Sequence, residues 1–404
     1  MGRTLRIGIH SPYLGSAYGG GEKYLGVTAE TIRDAFPDHD LELLSTVPVD
    51  RERYERTLGL DLRGIRLVAT NPAPAGALRR LAAAPMLRSY RNLAVAAQAA
   101  RFTRRYDLYL AMVYAVPAFS RARAGVILCQ FPYPLDKDRR LRSLPYRGLR
   151  RLLLPRELDS FERVICQSEY VREWTKRYWA RDAEVVNPPI DIPEDEPDYA
   201  AKRRIILSVG RFLARGHAKR HDTMIKVFAG LASGVLRGWE LHLAGSRHLD
   251  AESQAYYRQL EQLAEGLPVR LRPDLDGREL DELYRTAAIY WHAAGFGADA
   301  NASPEALEHF GMTTVEAMAR GTVPVAIARG GQVEVVRDGV DGYLWQELTE
   351  LGERTTRLAR DAGLRRRLGA AARESSRRYC KAEFKRKMAG LLRPVVERLE
   401  AQDS

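Results

Sequence analysis

No stretch of the 404-residue chain is apolar for long enough to span a bilayer, which takes about 20 apolar residues in a helix. The best candidate, residues 106–119, is broken by Asp107 and Pro117. No apolar signal region follows the first basic residues, so the chain is expected to stay in the cytoplasm. Cysteine is scarce: Cys129, Cys166 and Cys380 are odd in number and lack metal-ligand spacing, which argues against a disulfide framework and against a zinc site. Internal repeats and low-complexity tracts are also missing. So is a Gly-x-Gly-x-x-Gly turn directly after a strand, since neither Gly8 nor Gly19–Gly21 has that spacing; this argues against a nicotinamide dehydrogenase.

Acidic charge is thin in the first half. Residues 1–187 hold 31 Lys and Arg against 20 Asp and Glu, a net +11 out of the chain's +12. Residues 51–150 hold 20 basic and 6 acidic side chains, all but one of the basic ones arginine. Such an excess attracts an anionic membrane leaflet or nucleic acid, or it is simply a solvated face. Downstream, leucines from Leu141 to Leu154 interleave with Arg139, Arg140, Arg142, Arg147, Arg150 and Arg151. That pattern fits a helix lying in a membrane interface and equally a packed helix with a solvated basic face. No nucleic-acid reading motif accompanies the charge, so no nucleic-acid partner is expected.

What is present is an alternation of short apolar runs with helical patterns, broken once. Strands are predicted at 5–9, 41–44, 65–68, 108–111, 126–129, 164–167 and 184–186, with Ser168 as the N-cap of a following helix. Residues 188–200, with four prolines and several acids, read as a semi-stiff linker. The alternation restarts with strands at 205–209, 240–244, 269–271, 289–291 and 323–327 and helices such as 251–264 and 279–287. The expected fold is α/β: two Rossmann-like, doubly wound parallel sheets facing a cleft, in domains 1–187 and 201–378, with a last helical segment at 379–404.

Three constellations carry chemistry. Glu308-His309-Phe310-Gly311-Met312-Thr313-Thr314-Val315-Glu316 sets two carboxylates two helical turns apart beside a glycine. If a helix starts near Gly311, its unpaired N–H groups and positive dipole end can hold a diphosphate. Glu308, in the loop before it, can accept hydrogen bonds from sugar hydroxyls, and Glu316 can grip a ribose. Upstream, residues 205–209 run into Gly210-Arg211 and then Lys219-Arg220, so a strand end delivers positive charge to a departing diphosphate, with Lys219 and Arg220 competing for the lysine role. At the amino terminus, Gly19-Gly20-Gly21-Glu22 follows a strand and opens a helix, which lets backbone approach a ligand closely.

These residues resemble the signature of the retaining nucleotide-sugar glycosyltransferases of the fourth sequence family, the group 1 glycosyl transferases with the GT-B fold. The resemblance spans nearly the whole chain in the expected order. It implies Arg211, Lys219 and Glu308 as catalytic residues and Gly20, Gly21, His309, Phe310, Gly311, Met312, Thr313 and Glu316 as donor-binding residues. It implies acceptor or sugar contacts at Glu22, Gln130 and Tyr133; Gln130 stands where many members carry a histidine. His292, at a strand end before the long polar loop to Glu308, is either a hydrogen-bonded strand-end histidine or a sugar contact. The family further implies a nucleoside diphosphate sugar donor, GDP-mannose or a UDP-hexose by frequency, no metal or other cofactor, and attack on the same face as the departing diphosphate. Its last helix returns to the amino-terminal domain. A lipid-linked or anionic glycan acceptor, met on the inner face of a membrane, would suit the basic first half; the alternatives are a soluble small-molecule acceptor or a non-catalytic nucleic-acid- or anion-binding protein. A non-catalytic subunit with a decayed cleft is disfavoured by the intact glutamates and Arg211.

Overall fold

Runs of Val, Ile and Leu bounded by turn residues make the strands, and in both halves these runs are apolar on both faces because helices cover both sides of a parallel sheet. The structure, a computed structural model, describes residues 3–11, 14–15, 19–70, 102–113, 119–132, 155–214 and 218–402. It divides into two compact units, Met1–Pro189 with Ala382–Ser404, and Ile190–Lys381.

The first unit is a seven-stranded parallel sheet of β1 (Arg6–His10), β2 (Asp40–Ser45), β3 (Arg66–Ala69), β4 (Leu108–Val113), β5 (Ala124–Cys129), β6 (Arg163–Cys166) and β7 (Glu184–Val185), in the order β3-β2-β1-β4-β5-β6-β7. Ile7, Ile9, Leu43, Leu108, Leu110, Val126 and Leu128 form its core with the Gly20–Ala35 helix. Phe384, Met388, Leu392, Val395, Val396 and Leu399 of the Lys381–Ala401 helix complete that core. Ser168 accepts from the Val171 N–H and starts the Glu169–Trp179 helix.

The second unit is a six-stranded parallel sheet of β8 (Arg203–Val209), β9 (Glu240–Gly245), β10 (Val269–Pro273), β11 (Ala287–His292), β12 (Val323–Ile327) and β13 (Tyr343–Trp345), in the order β10-β9-β8-β11-β12-β13. The sequence reading stops at β12; three residues, one of them half-exposed, carry too little pattern to announce β13. The direction of strand addition reverses between β8 and β11, and a ligand crevice opens beyond the strand ends at such a point.

The expected linker departs most from the reading. Pro189 closes the first unit and Ile190 opens the second, fully buried against Phe310, Val315 and Met318 and bridged in parallel to Cys380. Prolines cannot donate, so the segment's carbonyls look outward for partners. Arg373 donates to the Pro193 and Asp195 carbonyls, and Arg285 pairs with the Asp195 carboxylate at 2.7 Å. Residues 190–200 are thus an edge of the second unit. The last helix, Lys381–Ala401, lies within the terminal segment read as helical.

Candidate functional site

The switch point of the second sheet gathers the charged side chains. β8 runs out through Gly210, over which the Lys219 stem lies: a Cβ at Gly210 would fall 2.3 Å from Lys219 Cγ. Arg211 follows, exposed. Lys219 Nζ reaches the Glu308 carboxylate, and both side chains are largely buried. Arg220 turns elsewhere, taking a left-handed backbone (φ 58°) ahead of the His221–Ala232 helix and donating from Nε to the Phe296 carbonyl at 2.9 Å. This separates the two candidates for the lysine role.

β11 delivers His292, whose Nε2 lies 2.9 Å from Glu308 Oε2, the same oxygen that meets Lys219. Burial lowers the His292 pKa, and the Glu308 charge offsets this only in part. His309, next in the chain after Glu308, is lowered to about 4 by desolvation, and its Nε2 faces the Glu305 carbonyl at 3.3 Å.

The loop between β11 and the Met312–Ala319 helix is long, but it is tied down. Arg220 holds Phe296, Arg329 donates to the Ala298 carbonyl at 2.9 Å, and the Gly331 N–H donates to the Glu308 carbonyl at 2.7 Å. Gly330 and Gly331 permit this approach, since a Cβ on either would lie 2.3 Å from the Glu308 oxygen or 2.5 Å from that of His309. The signal in the sequence is a Gly-Gly pair separated from the end of β12 by two residues.

Gly311 then caps the Met312–Ala319 helix at φ 106°, a backbone that disfavours any other residue, and a Cβ there would lie 2.1 Å from Gln332 Nε2. The Met312 and Thr313 N–H groups, first in this helix, have no intrahelical acceptor, an arrangement that suits an anion. Two tyrosines brace the helix: Tyr290 donates to Thr313 Oγ1 at 2.7 Å, and Tyr284 donates to Glu316 Oε2 at 2.9 Å. The Tyr284 carbonyl in turn accepts from Lys202 and Thr322. Neither tyrosine was singled out in the sequence, because each reaches the helix from more than 20 residues upstream.

Two expected donor contacts are placed differently. The Phe310 side chain is 1% exposed and meets Tyr379 edge-on at 5.0 Å, in a cluster that Met312 also joins. Phe310 is a core side chain, and Met312 packs partly buried against the same cluster.

In the first unit the switch point lies between β1 and β4. Gly20 and Gly21 form the first turn of the Gly20–Ala35 helix. The Glu22 carboxylate, expected to meet an acceptor, instead accepts from the Gly19 N–H at 3.0 Å, the half of a capping box that a glycine N-cap allows, and its carbonyl accepts from Tyr54. Gln130 is buried after β5, its carbonyl accepting from Gln167, whose own carbonyl accepts from Asn187. Tyr133 and the arginine-leucine segment lie outside the described residues. Unread in the sequence was His10, at the end of β1, with Nδ1 2.8 Å from the Tyr109 hydroxyl and its pKa lowered by burial to about 4.

Among the described residues no three His, Cys, Asp or Glu side chains are placed to hold a metal ion, and no helix is long and apolar enough to cross a membrane.

Comparison with known proteins joins this geometry to a family. Residues 191–375 match the family model described as Glycosyl transferases group 1. The D-inositol 3-phosphate glycosyltransferase of Salinispora arenicola is 36% identical over 135 residues, covering 33% of this chain and 27% of that protein. The chain spans between about a quarter and about half the length of the curated relatives it matches first. Among solved structures, the sucrose-phosphate synthase of Thermosynechococcus elongatus superposes with a TM-score of 0.70 at 18% identity, covering 98% of this chain and all of that one. Anabaena Alr3699/HepE in complex with UDP-glucose superposes with a TM-score of 0.68 at 18% identity, covering 96% of this chain and 100% of that one. These likenesses show the fold: two parallel-sheet α/β domains of the GT-B kind.

Proposed function

The chain carries a group 1 glycosyl transferase domain at residues 191–375, and from that premise we propose that it moves a hexose from a nucleoside diphosphate sugar to an acceptor hydroxyl with retention of configuration. One observation carries the reading: Glu308 and Glu316 are each held by buried partners, on either side of a glycine-capped helix start. The diphosphate sits on the N–H groups of the Met312–Ala319 helix, with Arg211 and Lys219 as its cations. Glu316 takes the ribose hydroxyls and Glu308 those of the hexose. The bond from the anomeric carbon to the phosphate oxygen breaks as the acceptor oxygen bonds that carbon on the same face, and the acceptor's proton passes to the departing diphosphate. Positive side chains and the helix end supply the charge stabilisation, so the reaction needs no metal.

A UDP-hexose leads GDP-mannose as donor, because Alr3699/HepE, which shares the fold, is described with UDP-glucose. A lipid-linked or anionic glycan acceptor at a membrane surface fits the +11 of residues 1–187, in glycan, glycolipid or polysaccharide assembly. Melting shifts across UDP-, GDP-, ADP- and dTDP-hexoses test the reading, since a ligand that binds only the native state stabilises it by mass action. A shift is expected with one of the four bases and its absence with all four would sink the donor site. Activity that excess EDTA abolishes and a divalent ion restores would overturn the metal-free chemistry.

A further inference from the structure

His292 is the last residue of β11, paired in register with Ala326 of β12 and 2% exposed. Strand pairing on one side and burial on the other give its ring little freedom. Among the described residues, the charged groups that face it are Glu308 and Lys219. A carboxylate only accepts hydrogen bonds, so the 2.9 Å contact with Glu308 Oε2 fixes the imidazole as the Nε2–H tautomer, and Nδ1 is buried without a hydrogen-bond partner. Lys219 approaches the same Oε2.

One oxygen with two donors poses a question once donor chemistry begins. In the proposed reaction Lys219 is wanted at the diphosphate, and as it leaves, a carboxylate that is 8% exposed gives up one of its donors. The imidazole is the group that does not move, because a strand carries it. A neutral N–H donor also aims the carboxylate without adding a second positive charge beside an anomeric carbon that becomes electron-poor as its bond breaks.

We propose that His292 is a positioning residue: its neutral imidazole holds and aims the Glu308 carboxylate while Lys219 serves the diphosphate, and it acts on the sugar only through Glu308. The role rests on the donor-site reading above, and its test has an arm that does not.

In the arm free of activity, nitrogen NMR of the imidazoles of the full chain, with the His292 signal assigned by its loss in His292→Gln, should show a neutral ring protonated at Nε2 at pH 7. Glu308→Ala should shift that nitrogen. A ring protonated at Nδ1, a charged ring, or no response to Glu308→Ala overturns the proposal whether or not any sugar is transferred. In the kinetic arm, His292→Leu should lower kcat by about 10- to 100-fold, below the 10²–10³ expected for losing a group that meets developing charge directly. The donor KM and the melting shift given by the bare nucleoside diphosphate should hold, and His292→Gln, which keeps an N–H donor, should recover most of the rate. In a Glu308→Gln background, His292→Leu should cost nothing further, since residues acting as one unit are not additive. An equal loss in both backgrounds would mean that His292 touches substrate itself. If wild type binds no nucleotide sugar, the donor reading falls and the NMR arm still decides the contact.

Discussion

The carboxyl edges of the two sheets are built from the same strand chemistry and furnished differently. In the second unit the switch point holds Arg211, Lys219, Glu308 and Glu316, two of them joined in one buried ion pair and a third braced by a tyrosine. Among the described residues, the corresponding edge of the first unit holds neutral groups: His10 on Tyr109, then Gln130, Gln167 and Asn187 linked through their carbonyls. The one carboxylate expected to act there, Glu22, is occupied as a helix cap. Charge that must be aimed at a diphosphate needs fixed partners, whereas neutral amides suit varied hydroxyls. The fold is shared, and the function lies in what is placed at its crevice.

That contrast breaks most directly in turnover. Lys219→Ala and Arg211→Ala should each lower kcat by about 10²–10³, the scale of one preorganised charge stabiliser, while Gln130→Ala should cost less than about tenfold. Steady-state kinetics on purified variants decide it, and a Gln130→Ala loss equal to the Lys219→Ala loss would erase the distinction.

Stability sharpens the contrast next. Gly311→Ala must adopt φ 106° and force Gln332 aside, whereas Gly59→Ala in the first unit takes φ 64° with nothing within 4 Å. The Gly59 change should cost about 1–2 kcal/mol from backbone strain alone and the Gly311 change more, with loss of donor binding besides. Urea titration of both variants provides the numbers.

Acid separates the units again. Burial lowers the pKa of His221, His242, His292 and His309 in the second unit and that of His10 in the first. Each binds its proton more readily unfolded, near pH 6.5, than folded. The stability they contribute is present above that value and is lost as pH falls from about 6.5 toward 4. Limited proteolysis in urea at pH 7 and pH 5 should therefore find the second unit weakened more, and an equal weakening would remove the electrostatic part of the contrast.

The smallest effect belongs to Tyr284→Phe. Losing one hydrogen bond to Glu316 should raise the donor KM by about two- to tenfold with kcat unchanged, as expected for a bond worth about 0.5–1.5 kcal/mol in ground and transition state alike. A fall in kcat at constant KM would place Glu316 nearer the reacting carbon than the ribose.

Much of this was legible before any coordinates, and the reason is local. Alternating apolar runs with Ser168 as a cap announced the sheets, and Gly311 between two glutamates announced the helix start, because each depends on neighbours in sequence. What escaped depends on distant partners. Nothing within ten residues of Glu316 indicates Tyr284, and Gly330-Gly331 acquires meaning only against the Glu308 carbonyl. Phe310 was assigned by motif position when its apolar side chain already suggested the core it joins. Glu22 was missed as a cap because a glycine occupies the N-cap position, where a serine or threonine would have revealed the box.

The return of the last helix to the first unit has a consequence for how the protein comes into being. Chain order places the whole of Ile190–Lys381 between the seven strands of the first unit and the six apolar side chains that finish its core. On a ribosome the second unit can close while the first still lacks Phe384 through Leu399, and the first matures only when the final turn of helix emerges. A chain cut short at residue 380 would leave the six-stranded sheet and its charged crevice able to fold, and leave the earlier-made half exposed to proteases and aggregation.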